Sequence, residues 1–280
     1  SGSNSNLLRK IIYQDIKIPV TEIKVYSKIN KIFNSKIEIK RIAFSVEKLK
    51  IQNMQKIITR FKPSNFKNYL LNNIDNGEIE KVSIDLSIDK DFKIIDYTAK
   101  GIVKNINAVI KNNLTIKDIN FNFITDSKLT LVNSINANYE EILLSNGSIN
   151  LQRGQQGIDM DGKFNTQFNL KKQELNKLFK NIKFFKEYKT EIKGILHHEF
   201  NLKLDSSFKV VDYSYKSKGD ISESKLILKD SFGKEFIEKP IKQILFDKIS
   251  TEINLKKNKK YIFSLDGLYS TSGSSYKKFK

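Results

Sequence analysis

From Lys81 to Ile88 the chain alternates without a break: Val82, Ile84, Leu86 and Ile88 fall on one side, and Lys81, Ser83, Asp85 and Ser87 on the other. Successive side chains of a strand point to opposite faces, so a period of two separates these residues only in a β-strand with one dry and one wet face. The signal recurs along most of the sequence. Thr115–Phe123 carries Ile119, Phe121 and Phe123; Gly147–Arg153 carries Ile149 and Leu151; Ile158–Phe168 carries Met160, Phe164 and Phe168. Ile192–Leu204 brings Phe200, Leu202 and Leu204, Ile249–Leu255 brings Ile253 and Leu255, and Tyr261–Leu268 brings Phe263 and Leu265. Ile16–Tyr26, Lys36–Val46, Lys128–Val132, Asn133–Leu144, Phe208–Tyr215 and Lys225–Leu228 read as further strands. Asn146-Gly147, Asp161-Gly162 and Asp266-Gly267 have the composition of turns, and Gly154-Gln155-Gln156-Gly157 reads as a hairpin tip.

Three amphipathic helices are expected between the strands. Gln52–Phe61 places Met54, Ile57, Ile58 and Phe61 at helical spacing, and Pro63 stops it. Ser64 suits the N-cap of Asn65–Ile74, which has Phe66, Tyr69, Leu70 and Ile74 on one side. Lys171–Lys186 carries Leu175, Leu178, Phe179, Ile182 and Phe185. Each has one apolar stripe and needs an apolar surface beneath it, which in this chain is a sheet face or a sheet end.

The segment Leu86–Tyr97 matches Leu202–Tyr213 without a gap, 116 residues further on. A helix and then a glycine precede both copies (Gly77, Gly194), and another glycine follows each (Gly101, Gly219). The matched order reads as a duplicated unit of helix, glycine, strand, polar turn, strand and glycine. Units of this kind build arrays in which each copy adds strands to a growing sheet. The expected organisation is Ser1-Gly2-Ser3 as an expression scar, N-terminal strands plus a helix over 4–62, and helix-and-sheet repeats over 63–170 and 171–280. The chain reads as a piece of something longer. The fold expected is mainly β with a few helices (α+β): an elongated, highly curved antiparallel sheet groove, with short helices at the repeat starts.

Charge narrows the partners. Fifty Lys+Arg against 31 Asp+Glu leave a formal charge of +19, which suits nucleic acid or an anionic membrane. Yet Arg9, Arg41, Arg60 and Arg153 are the only arginines. Readers of bases and phosphates lean on the guanidinium fork, which lysine cannot copy. Lysine, isoleucine and asparagine together are also what an AT-rich genome writes by default, so the lysines read first as a solvated sheet face. With no cysteine there is no disulfide framework and no thiolate metal site. No stretch reaches the ~18 apolar residues of a membrane span, and no signal peptide is visible.

Catalysis needs an acid, base or nucleophile held in a pocket, and the sequence offers little toward one. His197 and His198 are adjacent in a strand and point to opposite faces, so they cannot share a ligand sphere. Asp159-Met160-Asp161-Gly162 opens like a calcium loop but lacks the later ligands and closing Glu, and reads as a β-turn. Gly154–Gly157 is not followed by the Lys-Ser/Thr pair of a phosphate loop. No enzyme activity, metal or cofactor is expected.

The apolar strand faces remain as the candidate site. Residues Val82, Ile84, Leu86, Ile88, Ile119, Phe121, Phe123, Ile149, Leu151, Met160, Phe164, Phe168, Phe200, Leu202, Leu204, Ile253, Leu255, Phe263 and Leu265 are expected to line it. They either close on themselves and the helices as an ordinary core, or leave a greasy groove that needs a ligand. Acyl chains suit such a groove, since burial scales with area and asks for no polar specificity.

The order of elements from Asn65 to Leu170 resembles the AsmA-like superfamily, and within it the YhdP and TamB type. The residues that carry the likeness are Tyr69-Leu70-Leu71, Gly77 through Leu86, Tyr97 through Val103, Leu114 through Phe123, Leu144 through Leu151, and Met160-Asp161-Gly162-Lys163-Phe164. The segment Lys171–Leu268 resembles it more loosely, and the Lys/Asn-rich composition departs from better-known members. The resemblance implies a periplasmic protein tethered to the inner membrane of a Gram-negative cell by an anchor outside this chain. It implies a sheet groove that carries phospholipid toward the outer membrane, and no catalytic residues. The function expected is thus a monomeric segment of a bridge-like lipid transport protein. The alternatives are a non-catalytic scaffold with a closed core and a basic binder of nucleic acid or another anionic surface.

Overall fold

A computed structural model of the chain describes residues 11–13, 16–29, 37–59, 68, 71–110, 114–178, 189–207, 209–222, 224–232, 241–271 and 274–280. The protein is mainly β. Strands β1 (Ile11–Tyr13) and β2 (Ile16–Ile18) pair with each other. The other strands are β3 (Val20–Ile29), β4 (Ile37–Lys50), β5 (Ile74–Ile88), β6 (Ile94–Ile110), β7 (Leu114–Asp126), β8 (Leu129–Tyr139), β9 (Ile142–Gly154) and β10 (Gly157–Leu170). They continue with β11 (Lys189–Asp205), β12 (Val210–Ile221), β13 (Ser224–Phe232), β14 (Ile241–Lys256), β15 (Ile262–Thr271) and β16 (Lys277–Phe279). These form a 14-stranded antiparallel sheet in which almost every strand neighbours the one before it in sequence. Two helices are described, α1 (Ile51–Ile58) and α2 (Lys172–Leu178). The chain divides into two compact units, residues 1–137 with 148–158, and 138–147 with 159–280.

In the first unit a core cluster of Val20, Val46, Leu49, Ile51, Ile79, Val82, Val103, Ile106 and Ala108 gathers where α1 lies against β4 and β5. In the second unit β12 and β13 act as one interrupted strand. Both run antiparallel to β11 and to β14, β12 along Gly194–Leu204 and β13 along Lys189–Glu191. The break at Ser222 is held by its amide, which donates to Lys193 O at 2.9 Å.

The duplicated segment folds the same way twice. Leu86 pairs with Tyr97, and Leu202 with Tyr213. The ladder slips between Ser87 and Ile88 in one copy and between Lys203 and Leu204, the equivalent step, in the other. Asp89 Oδ1 accepts the amides of Asp91 and Lys93; Asp205 Oδ1 accepts those of Ser207 and Lys209.

Several boundaries differ from expectation. Asn146-Gly147, Asp161-Gly162 and Asp266-Gly267 are not turns but lie inside β9, β10 and β15. The run Asn133–Leu144 is not one strand, since it breaks at Glu140-Glu141 between β8 and β9. Asn146 takes φ 52°, the left-handed conformation that turns and bulges share, and the chain carries on through it as strand. The hairpin tip at Gln155-Gln156 is where the sequence puts it. Helix α1 starts one residue early and ends before Phe61. Most of the second expected helix lies outside the described residues: 71–73 are helical, but Ile74 already opens β5. The third is described over Lys172–Leu178, and its remainder lies outside.

Candidate apolar binding face

Register decides which apolar residues meet. In the first unit Val82, Ile84 and Leu86 of β5 lie beside Val46, Phe44 and Ile42 of β4, and beside Gly101, Ala99 and Tyr97 of β6. Ile23 and Val25 of β3 extend these rows past Phe44 and Ile42. On the other flank Phe123 lies beside Gly101, Phe121 beside Val103, and Ile119 beside Ile106. The candidate residues of β5 and β7 thus share one face, except that Ile88 sits beyond the ladder slip, buried opposite Ile94. Ile149 and Leu151 alternate on the same side of β9 as Arg153, which donates to Thr130 Oγ1 at 2.9 Å. Thr130 in turn hydrogen-bonds Thr125, which stands opposite Ala99 on the apolar face.

The opposite face is polar and ionic. Arg41 pairs with Asp85, Lys81 with Glu47 at 3.4 Å, and Lys104 with Glu80 at 2.7 Å. The Arg41 guanidinium holds the Asp85 carboxyl below its usual range. Exposed pairs of this kind add little stability, but they mark that face as the wet one.

The second unit repeats the division. Phe200 lies beside Tyr215 and Tyr215 beside Leu255; Ser217 separates His198 from Ile253, which lies beside Phe263; Thr251 lies beside Leu265. Leu202 lies beside Tyr213, and Leu204 beside Val210 across the slip. Phe164 stacks on His198 with ring centroids 4.5 Å apart, and Thr166 hydrogen-bonds His198 Nε2 at 2.7 Å, so Met160, Phe164 and Phe168 alternate onto that face as well. Across the sheet Lys218 pairs with Glu252 at 3.0 Å and Lys203 with Asp159 at 3.8 Å. His197 and His198 do part to opposite faces: His197 Nδ1 is 2.8 Å from Asn165 Oδ1, while the buried His198 also has Nδ1 at 2.7 Å from the Tyr215 hydroxyl.

Two phenylalanines cover glycines. A β-carbon on Gly101 would come within 2.8 Å of Phe123 Cε1, and one on Gly194 within 2.8 Å of Phe168 Cζ. Each ring therefore closes against bare backbone. This contact supplies packing that glycine forfeits in a strand.

Bulges keep the face apolar where the alternation changes phase. Lys248 adopts φ 49° at the slip between Asp247 and Ser250. Phe246 lies beside Tyr269 before the slip, and Ile253 beside Phe263 after it. Even-numbered Phe246 and odd-numbered Ile253 thus share one side. Asn105 and Asp118, with φ 55° and 52°, do the same for Ile106, Ala108 and Ile116. An alternation rule misses these residues because one inserted residue inverts the count. The change of phase in the apolar pattern was the available signal.

Exposure varies along the face. On β3, Val20, in the core cluster with Ile51 of α1, is 2% exposed, and Val25, farther along the same face, is 54% exposed. Most of the candidate residues are half-buried, Val82 and Ile88 are buried, and Phe263 is 64% exposed. Among the described residues, α1 covers one end of the first unit's face, and α2 packs against β11 in the second.

The fold and this face together define a class: an antiparallel β protein whose sheet is apolar on one side and charged on the other. No family model, no curated protein and no solved structure matches the chain.

Proposed function

We propose that this chain is a segment of a bridge-like lipid transport protein of the AsmA-like kind, whose apolar sheet face shelters phospholipid acyl chains. The observation that carries the reading is the row-by-row register of apolar residues in each unit, backed by a charged face and covered by a helix at one end. Buried apolar area stabilises a bound chain by about 25 cal/mol per Å², roughly 0.8 kcal/mol per methylene. A face of aliphatic and phenylalanine side chains supplies that area without polar specificity. Acyl chains lie on the face, headgroups stay in water, and movement along it is passive. The setting that goes with this reading is the periplasm, with an anchor in the inner membrane.

Native mass spectrometry of the purified chain, followed by lipid extraction, tests it. Phospholipid should co-purify, and Phe121→Asp, Phe164→Asp or Leu204→Asp should remove it while Lys81→Asp on the wet face does not. A folded, lipid-free protein in detergent-free buffer would instead make this a scaffold with a closed core.

A further inference from the structure

We infer that the hairpin edge of the second unit, where the β11–β12 and β14–β15 connections come together, docks onto an anionic lipid surface. The two tips are tied to each other. Ser214 pairs with Lys256, Lys257 N donates to Tyr213 O at 3.1 Å, and Lys257 Nζ donates to Val211 O. Val210, Val211, Tyr261, Ile262 and Phe263 stand at this edge, between 49% and 68% exposed. Consecutive residues point to opposite faces, so exposure of both Val210 and Val211, and of both Ile262 and Phe263, marks the end of the sheet, where both faces are open and Phe263 is the last candidate residue of the apolar one. Solvent is a poor environment for such a cluster.

Charge selects the partner. Between Glu252 and Asp266 the chain carries four lysines and no acid, and Lys209 joins them from the other tip. Asp205 and Asp212 are the acids at these tips, so the five lysines outnumber them. Aliphatic and aromatic side chains flanked by lysines match a surface with an apolar interior and anionic headgroups. No arginine fork is present here, which argues against base readout of nucleic acid. The equivalent tip of the first unit is an internal contrast. Phe92, Ile94 and Ile95 are equally exposed there, but Asp91 stands where the second unit has Ser207, and Asp126 ends the adjoining strand β7 in place of a lysine cluster.

The inference is independent of acyl-chain transport, because Val211 and Ile262 are not among the residues proposed to shelter lipid. Co-sedimentation of the chain with vesicles tests it, using phosphatidylcholine alone or mixed with phosphatidylglycerol. Binding should need the anionic lipid and fall with added salt. Val211→Asp with Ile262→Asp, and separately Lys259→Glu with Lys260→Glu, should each weaken it by about tenfold or more. Phe92→Asp with Ile94→Asp should leave it unchanged, and circular dichroism should report the same fold for all variants. The inference is overturned by no vesicle binding, by equal binding to neutral vesicles, or by binding that survives both second-unit variants. It is also overturned if the Phe92/Ile94 variant loses as much binding, or if the edge variants abolish binding to single-stranded DNA and not to vesicles.

Discussion

The ring of Phe168 lies over Gly194, with Cζ only 2.8 Å from where a β-carbon on that glycine would be. The same site places Asp220 O at 2.8 Å, so backbone as well as ring stands in the way. Gly194→Ala should destabilise the protein by about 1–3 kcal/mol through overpacking. Phe168→Ala should cost about 2–3 kcal/mol, less than for a fully buried ring. The double variant should cost less than their sum, because removing the ring relieves part of the clash. Urea unfolding of the four proteins measures the coupling, and strict additivity would show that ring and glycine do not touch.

Lys248 holds a left-handed conformation, φ 49°, inside β14. A side chain there costs roughly 1–2 kcal/mol, which glycine avoids. Lys248→Gly should therefore be neutral or stabilising, whereas β-branched Lys248→Val should destabilise the protein by about 1–2 kcal/mol, as read by urea unfolding. If glycine proved the more harmful of the two, the bulge would not be where the register puts it.

Burial, and secondarily the neighbouring His197, push His198 below the ordinary histidine value of 6.5. The unfolded chain then binds a proton that the folded chain resists. Stability is thus complete above about pH 6.5 and falls as pH drops through that value. His198→Gln should flatten this slope while leaving the carboxylate-dependent loss at lower pH. Asp85, Asp126 and Asp205 lie below their ordinary 3.8, held by Arg41, by the Leu129 and Lys128 amides, and by Ser207 respectively, so their contribution disappears only at more acid pH. Thermal melts between pH 8 and pH 5 separate the two.

Asp89 and Asp205 organise equivalent turns through equivalent hydrogen bonds. Asp89→Ala and Asp205→Ala should each lower the urea midpoint, and by similar amounts. Asparagine at either position keeps the accepting oxygen and should retain more stability than alanine. A large effect at only one position would mean that the sequence match does not extend to the energetics.

Much of this architecture was legible in the chain. Alternation in Lys81–Ile88 reports strand, face and burial together, because a strand has only two sides. The match of Leu86–Tyr97 to Leu202–Tyr213 foretold two equivalent strand–turn–strand units, and the structure adds that both ladders slip at the same step. Asn146-Gly147 misled because a left-handed residue serves a turn and a bulge equally, and local sequence does not say whether the ladder continues beyond it. Glu140-Glu141, which has no strong turn composition, makes the real turn between β8 and β9.

What the sequence determined by itself was therefore the class of fold, the two-sidedness of its strands and the duplicated hairpin, all of which depend on neighbours along the chain. Tertiary structure decided the rest. Pairing chose the register that lines up Phe44, Ile84 and Ala99, put Phe123 over Gly101, and used bulges at Asn105, Asp118 and Lys248 to hold a shifting apolar pattern on one face. It also left Val211 and Ile262 exposed together at one edge, since their exposure depends on which tips lie side by side, and that is set by hydrogen bonds between strands distant in sequence.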